Sequence, residues 1–149
     1  MLSETEQQEK RDQFRRRWQD GVGFNKACAM IVRRWDAEAV EMYLPFRDEL
    51  GAHAGVFHGG VLSALIDTAG CGAVAAGHDF SKGDRITTVA LAVQYLSVDP
   101  GQDVVAHARC TRRGQQLNFA EVVVRSVAGK DLAQGLVTVS ATGMRAATI

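Results

Sequence analysis

Between His58 and Ala76 the chain carries almost no polar residues. A helix that is apolar nearly all the way round is buried on every side. The one charge beyond its first turn is Asp67, and aspartate is a mediocre helix former that is rarely buried unless paired or working. The run opens with His58-Gly59-Gly60, after a glycine-spotted loop from Gly51 to Phe57. A buried helix with a bare amide end and a lone acid within it marks a candidate site.

The flanking patterns supply the other elements. Ser3 and Glu6 have the spacing of a capping box, and Phe14 and Trp18 share a face, so a helix is expected from Glu4 to Asp20, followed by a break from Gly21 to Asn25. Ala27 to Trp35 reads as a first strand. Ala39 to Phe46 alternates Val40, Met42, Leu44 and Phe46 with other residues, the period of a half-buried strand, and Pro45 suits an edge or a strand end. Arg47 to Phe57 reads as a loop and Gly77 to Asp84 as a polar turn.

Arg85 to Val98 is a long strand, with Thr87, Val89, Leu91, Val93 and Tyr95 on one face. Asp99-Pro100-Gly101 turns the chain. Gln102 to Arg112 follows, alternating Val104, Ala106, Ala108 and Cys110. Leu117 to Val127 and Leu132 to Gly143 form a hairpin, and the tail after Met144 looks loose.

The order is helix, two strands, buried helix, four strands. Consecutive strands joined by short turns mean an antiparallel sheet, and that sheet must cover the apolar helix. The expected class is α+β: one domain over residues 1–149, with an N-terminal helix in 1–21 and the core in 27–143.

Lys plus Arg equals Asp plus Glu at 17 each, which argues against broad nucleic-acid or membrane-surface binding. Arg15, Arg16 and Arg17 read as a solvated face or a phosphate patch. Cys28, Cys71 and Cys110 show no metal spacing and read as buried small hydrophobes in a reducing compartment. No apolar leader precedes the first helix, and no run of about 18 apolar residues is present. The expectation is a cytoplasmic chain without a membrane span.

The central stretch resembles the helix signature of the hotdog-fold acyl-CoA thioesterases of the phenylacetate-degradation type. That pattern is His-Gly-Gly, an apolar run, then Asp and a small polar residue, matched by His58-Gly59-Gly60 and Asp67-Thr68. The likeness continues through Ile86 to Pro100, Arg112 to Arg125 and Asp131 to Gly135, over roughly the last two-thirds of the chain. It implies a hotdog fold, an antiparallel sheet wrapped round a central helix, and hydrolysis of an acyl-CoA to an acid and free coenzyme A without metal or redox cofactor.

The resemblance also implies roles. Asp67 is the carboxylate that attacks the thioester carbon or activates water for that attack. The Gly59 and Gly60 amides are an oxyanion hole, or the glycines only permit close packing. His58 is a supporting residue or a loop anchor. Thr88 falls where relatives carry a hydroxyl that positions water, although threonine is also a common strand former. Relatives often carry Asn six residues before the histidine, whereas this chain has Ala52, followed by His53.

Coenzyme A needs a basic rim, for which Lys82, Arg85, Arg112 and Arg113 are candidates. The acyl group needs an apolar slot, for which Phe57, Leu62, Tyr95 and Phe119 are candidates. Gly59 and Asp67 lie about 12 Å apart along a helix rising 1.5 Å per residue, so one carbonyl cannot touch both. A homodimer with shared sites follows, and the resemblance suggests pairing into tetramers. The competing functions are a non-catalytic acyl-CoA-binding module and a hotdog dehydratase or hydratase.

Overall fold

The computed structural model describes residues 1–142. The expected strand end at Gly143 and the tail after Met144 lie outside the described residues. The chain runs α1 (Glu4–Arg16), α2 (Gly23–Ala27), β1 (Ile31–Trp35), β2 (Val40–Leu44), β3 (Gly51–His53), β4 (Val56–Phe57), α3 (Gly59–Ala76), β5 (Arg85–Tyr95), β6 (Val104–Arg113), β7 (Leu117–Ser126) and β8 (Asp131–Thr142). Six strands form one antiparallel sheet in the order β1-β2-β6-β7-β8-β5. The sheet wraps α3 in the hotdog arrangement, with β1 and β5 at its edges.

The capping box is present: Ser3 N–H donates to Glu6 Oε2 at 2.7 Å, and Glu6 N–H donates to Ser3 Oγ. The expected aromatic stripe lies on the core, with Phe14 of α1 and Trp18 just beyond it stacked at 5.1 Å and Trp18 Nε1 donating to the Thr68 carbonyl of α3. Helix α1 ends at Arg16, earlier than the expected Asp20. A wider turn, Arg17–Gly21, follows it and closes on the bond from Val22 N–H to the Arg17 carbonyl. The anticipated break holds the short α2, and the first strand begins at Ile31, because Ala29 turns the chain with φ 59°.

The expected loop Arg47–Phe57 contains the small β3–β4 hairpin. Its Gly55 has φ 74°, a conformation that favours glycine, and a Cβ there would stand 3.1 Å from the Gly101 nitrogen. Helix α3 has the length and mean hydropathy (1.4) of a membrane span, contrary to the reading that no such run exists. Its glycines, Ser63, Thr68 and Asp67 interrupt an apolar run, yet the average stays at 1.4. In this fold 67% of it is buried, as the core helix.

The core lies between α3 and the concave face of the sheet. Leu65, Ile66 and Val74 meet Val40, Met42, Leu44, Val104, Val122, Val124, Val137 and Val139, all essentially without solvent contact. Two glycines set the spacing between helix and sheet. A Cβ on Gly70 would stand 2.6 Å from Val137, and one on Gly135 would stand 2.6 Å from Ile66. Real side chains there would push the helix off β8, and with it the face that looks toward β5.

Strand β5 departs from strict alternation. Thr88 pairs with Val139 and Ala90 with Thr138, so Val89 is an extra, bulged residue. The bulge changes which residues face the helix: Ile86 and Thr88 before it, Leu91, Val93 and Tyr95 after it, each opposite a buried residue of β8. The expected face of Thr87 through Tyr95 is corrected at its first two members, Thr87 and Val89, and the strand ends at Tyr95 rather than Val98. A second bulge, at Thr111, interrupts the alternation of β6 beyond Cys110.

Candidate active site

From Thr68 to Ala76 every residue of α3 is buried, whereas Gly59, Gly60, Val61, Ser63, Ala64 and Asp67 keep some exposure. The helix therefore opens along one stripe of its N-terminal half, and that stripe faces the edge strand β5. Gly59, Ser63, Asp67 and Cys71 recur at four-residue spacing on it. Each of them meets a hydroxyl of β5.

At the helix N-terminus, His58 is the N-cap. Its Nδ1 accepts the Gly60 N–H at 2.8 Å, and its carbonyl accepts the N–H groups of Val61 (2.9 Å) and Leu62 (3.3 Å). A Cβ on Gly60 would stand 2.9 Å from that Nδ1, so a glycine lets the imidazole fold back over the helix end. The pair of amides expected to form an oxyanion hole is thus divided. The Gly60 amide is taken by His58, and the Gly59 amide is left without a partner among the described residues. With Nδ1 accepting, the donor the ring has to offer is Nε2–H.

Gly59 also touches β5. Tyr95 Oη donates to the Gly59 carbonyl at 2.8 Å and lies 2.5 Å from Ser63 Oγ. A Cβ on Gly59 would stand 3.2 Å from the tyrosine ring. Two turns along the helix, Thr88 Oγ1 donates to Asp67 Oδ1 at 2.6 Å and lies 2.9 Å from Cys71 Sγ.

Burial pushes the Cys71 thiol up to about 12; the nearby Asp67 charge adds to this and the Thr88 contact opposes it. Cys71 therefore stays a thiol and donates to Thr88, whose own proton goes to Asp67. The chain of bonds has one direction, Cys71 to Thr88 to Asp67, and leaves one lone pair on Thr88 free. This also removes Cys71 as a nucleophile.

The remaining candidates are dispersed. Arg113 donates from Nη1 to the Val74 carbonyl (2.8 Å) and from Nη2 to the Ala73 carbonyl (3.1 Å), at the C-terminal end of α3. Those carbonyls lie about 21–23 Å from Gly59 by helix rise, so the Arg113 guanidinium is engaged at the helix terminus. Lys82 shares a shallow depression with Arg113, His78 and Asn118. Arg112 and Arg85 are exposed, Arg85 at the start of β5.

Phe57 is buried against Phe46, their rings edge to face at 5.1 Å, and Leu62 is buried in the same core. Phe119 lies opposite Thr138 on the outer face of the sheet, away from α3. Ala52 and His53 stand exposed on β3. Of the apolar candidates only Tyr95 reaches the site, and it does so through its hydroxyl. Ser63 was not anticipated, although its position four residues from both Gly59 and Asp67 was a legible signal.

A family model described as the thioesterase superfamily matches residues 54–133. A presumed esterase of Halobacterium salinarum is 36% identical over 94 residues, covering 60% of this chain and 62% of its own length, less than two thirds of that relative. A Shewanella oneidensis protein related to the thioesterase superfamily superposes with a TM-score of 0.79 at 20% identity, covering 90% of this chain and 96% of its own. Zebra fish thioesterase superfamily member 2 gives 0.73 at 24% identity, covering 88% and 94%. A hypothetical thioesterase of Streptococcus pneumoniae, solved with coenzyme A, gives 0.68 at 18% identity, covering 78% and 88%. The three structures share the fold with this chain.

Proposed function

The chain belongs to the thioesterase superfamily, and on that footing we propose that it hydrolyses an acyl-CoA thioester to a carboxylic acid and free coenzyme A. The observation that carries this reading is the half-buried Asp67, bonded to Thr88 at 2.6 Å on the open stripe of a helix whose first amide has no partner among the described residues. Coenzyme A beside the Streptococcus pneumoniae fold relative supports the choice of thioester.

In this reading Asp67 is the general base. Thr88 occupies one carboxylate oxygen, which makes the carboxylate a weaker nucleophile. The other oxygen and the free lone pair on Thr88 together accept the two protons of one water. The water oxygen attacks the thioester carbon and its proton passes to Asp67. A Gly59 amide holds the resulting oxyanion, and losing such a donor typically costs ~3–4 kcal/mol of transition-state stabilisation. Collapse of the intermediate expels the coenzyme A sulfur, which takes the proton from Asp67.

The amide comes from a second copy, since Gly59 and Asp67 of one chain stand about 12 Å apart. The outer edge of β5 is unpaired in the sheet order and carries the exposed Val89 and Leu91, with Leu96 and Val98 just beyond. An unpaired apolar edge is a template for another strand, so two copies joined along β5 make a dimer with two shared sites. The exposed Leu117, Phe119 and Leu136 on the outer face suit pairing of dimers into a tetramer. Arg85, three residues from Thr88, and the exposed Lys82 and Arg112 are the cations left for the nucleotide, and the described chain acts as one hotdog unit.

The second reading is an acyl-CoA-binding module without turnover, favoured by Ala52, which leaves the hairpin beside the helix without the expected amide. Thiol release from short, medium, long and aryl acyl-CoAs decides between them, with Asp67→Asn as control. We expect steady turnover that falls ~10²–10⁴-fold in Asp67→Asn while the fold persists. Near-native turnover in a folded Asp67→Asn protein rules out the assignment.

A further inference from the structure

The mechanism uses Asp67, Thr88 and the Gly59 amide, and gives no task to Tyr95. Yet the Val89 bulge brings Tyr95 to the helix-facing side of β5, and its hydroxyl is bonded to the backbone of the first helical residue. A tyrosine placed only for packing would not need that bond, because its ring already rests against Gly59. With its single proton on the Gly59 carbonyl, Tyr95 Oη accepts from Ser63 Oγ.

The peptide joining Gly59 to Gly60 is therefore bonded on both sides. Its carbonyl accepts from Tyr95, and its N–H donates to His58 Nδ1 at 2.8 Å. Hydrogen bonds in a chain polarise one another, so a donor on the carbonyl strengthens the N–H on the same peptide. The series runs Ser63, Tyr95, peptide, His58, and every donor in it points the same way. It ends at the exposed imidazole, whose remaining donor is Nε2–H, at the same helix end as the free Gly59 amide.

We infer that Tyr95 is a positioning residue: through the Gly59–Gly60 peptide it holds His58 with Nδ1 accepting and Nε2–H presented, so that His58 supplies a second donor to the oxyanion beside the Gly59 amide. The oxyanion role rests on the thioesterase reading. The hold on His58 does not.

The experiment has two arms. In the first, the nitrogen–nitrogen coupling across the bond from Gly60 N–H to His58 Nδ1 is measured by NMR on nitrogen-15-labelled protein, with the exchange rate of the Gly60 amide. Tyr95→Phe keeps the ring against Gly59 and removes only the hydroxyl. It should weaken the coupling and raise Gly60 exchange on the order of tenfold. In the second arm, Tyr95→Phe and His58→Ala are combined in a double-mutant cycle on turnover.

Tyr95→Phe alone should lower kcat on the order of tenfold with KM within about twofold, part of the 10²–10³ that loss of an oxyanion donor costs. In the His58→Ala background it should change nothing further. Ser63→Ala, which takes away only the donor to Oη, should give a smaller loss with the same dependence on His58. An unchanged coupling in Tyr95→Phe, or losses that add to those of His58→Ala, overturns the inference. A protein that does not turn over would defeat the thioesterase reading and leave the coupling arm to decide the role of Tyr95.

Discussion

Thr88 Oγ1 donates to Asp67 Oδ1 at 2.6 Å across 21 residues of sequence, from a strand position that strict alternation would aim the other way. The bulge at Val89 makes this possible without turning Tyr95 outward. Thr88 and Tyr95 are an odd number of residues apart, so an unbroken strand could bring only one of them to α3.

This relationship predicts two results. Thr88→Val should lower kcat ~10–100-fold, since it removes the bond that orients the general base, while Thr88→Ser should keep most activity. Deleting Val89 should restore regular alternation and turn one of the two hydroxyls away, so activity should fall with the sheet still formed. Circular dichroism and turnover of the deletion variant check this; full activity would mean that the bulge has no part in the site.

Shared sites predict complementation. Asp67→Asn and Gly59→Val should each inactivate a homodimer, the valine also pressing on the Tyr95 ring that stands 3.2 Å from the Gly59 Cβ position. Mixed dimers should recover about half of wild-type activity, because two-fold symmetry leaves one of the two sites intact. Co-expression with two affinity tags isolates the mixed species. Verified mixed dimers that stay inactive would count against a site built across two chains.

Arg113 should behave as a stability residue. Its two bonds to the Val74 and Ala73 carbonyls satisfy the C-terminal end of α3 and place a cation at the negative end of the helix dipole. Arg113→Ala should cost about 1–3 kcal/mol of stability by denaturant titration and spare KM. Arg85→Ala and Arg112→Ala should do the reverse, raising KM for acyl-CoA but not for the same acyl group on a short thiol. Equal losses on both thioesters would show that these arginines do not read the nucleotide.

Cys71 carries a pH prediction. Burial raises its thiol from 9.0 to about 12 in the folded chain. Below pH 9 both states hold the proton and the group contributes fully. Between pH 9 and 12 the unfolded thiol ionises while the folded one does not, so stability falls as pH rises. Cys71→Ala should flatten that alkaline decline, measured as the denaturation midpoint against pH. In the native protein Cys71 should resist alkylation near neutral pH and react once unfolded.

Local pattern alone determined much of this protein. The apolar run from His58 to Ala76 demanded a buried helix, Ser3 and Glu6 demanded a cap, and the alternating stretches demanded strands, because each depends on neighbours within a turn or along one strand. The separation of Gly59 from Asp67 was equally legible, since helix rise is a constant. The tertiary structure decided which groups are free to act. Whether an amide is open depends on where the His58 imidazole folds, what the Arg113 guanidinium binds depends on where α3 ends, and which hydroxyls reach α3 depends on one extra residue in β5. The bulge left no trace in the sequence because Val89 preserves the look of alternation, and it is only pairing with β8 that exposes it as the odd residue.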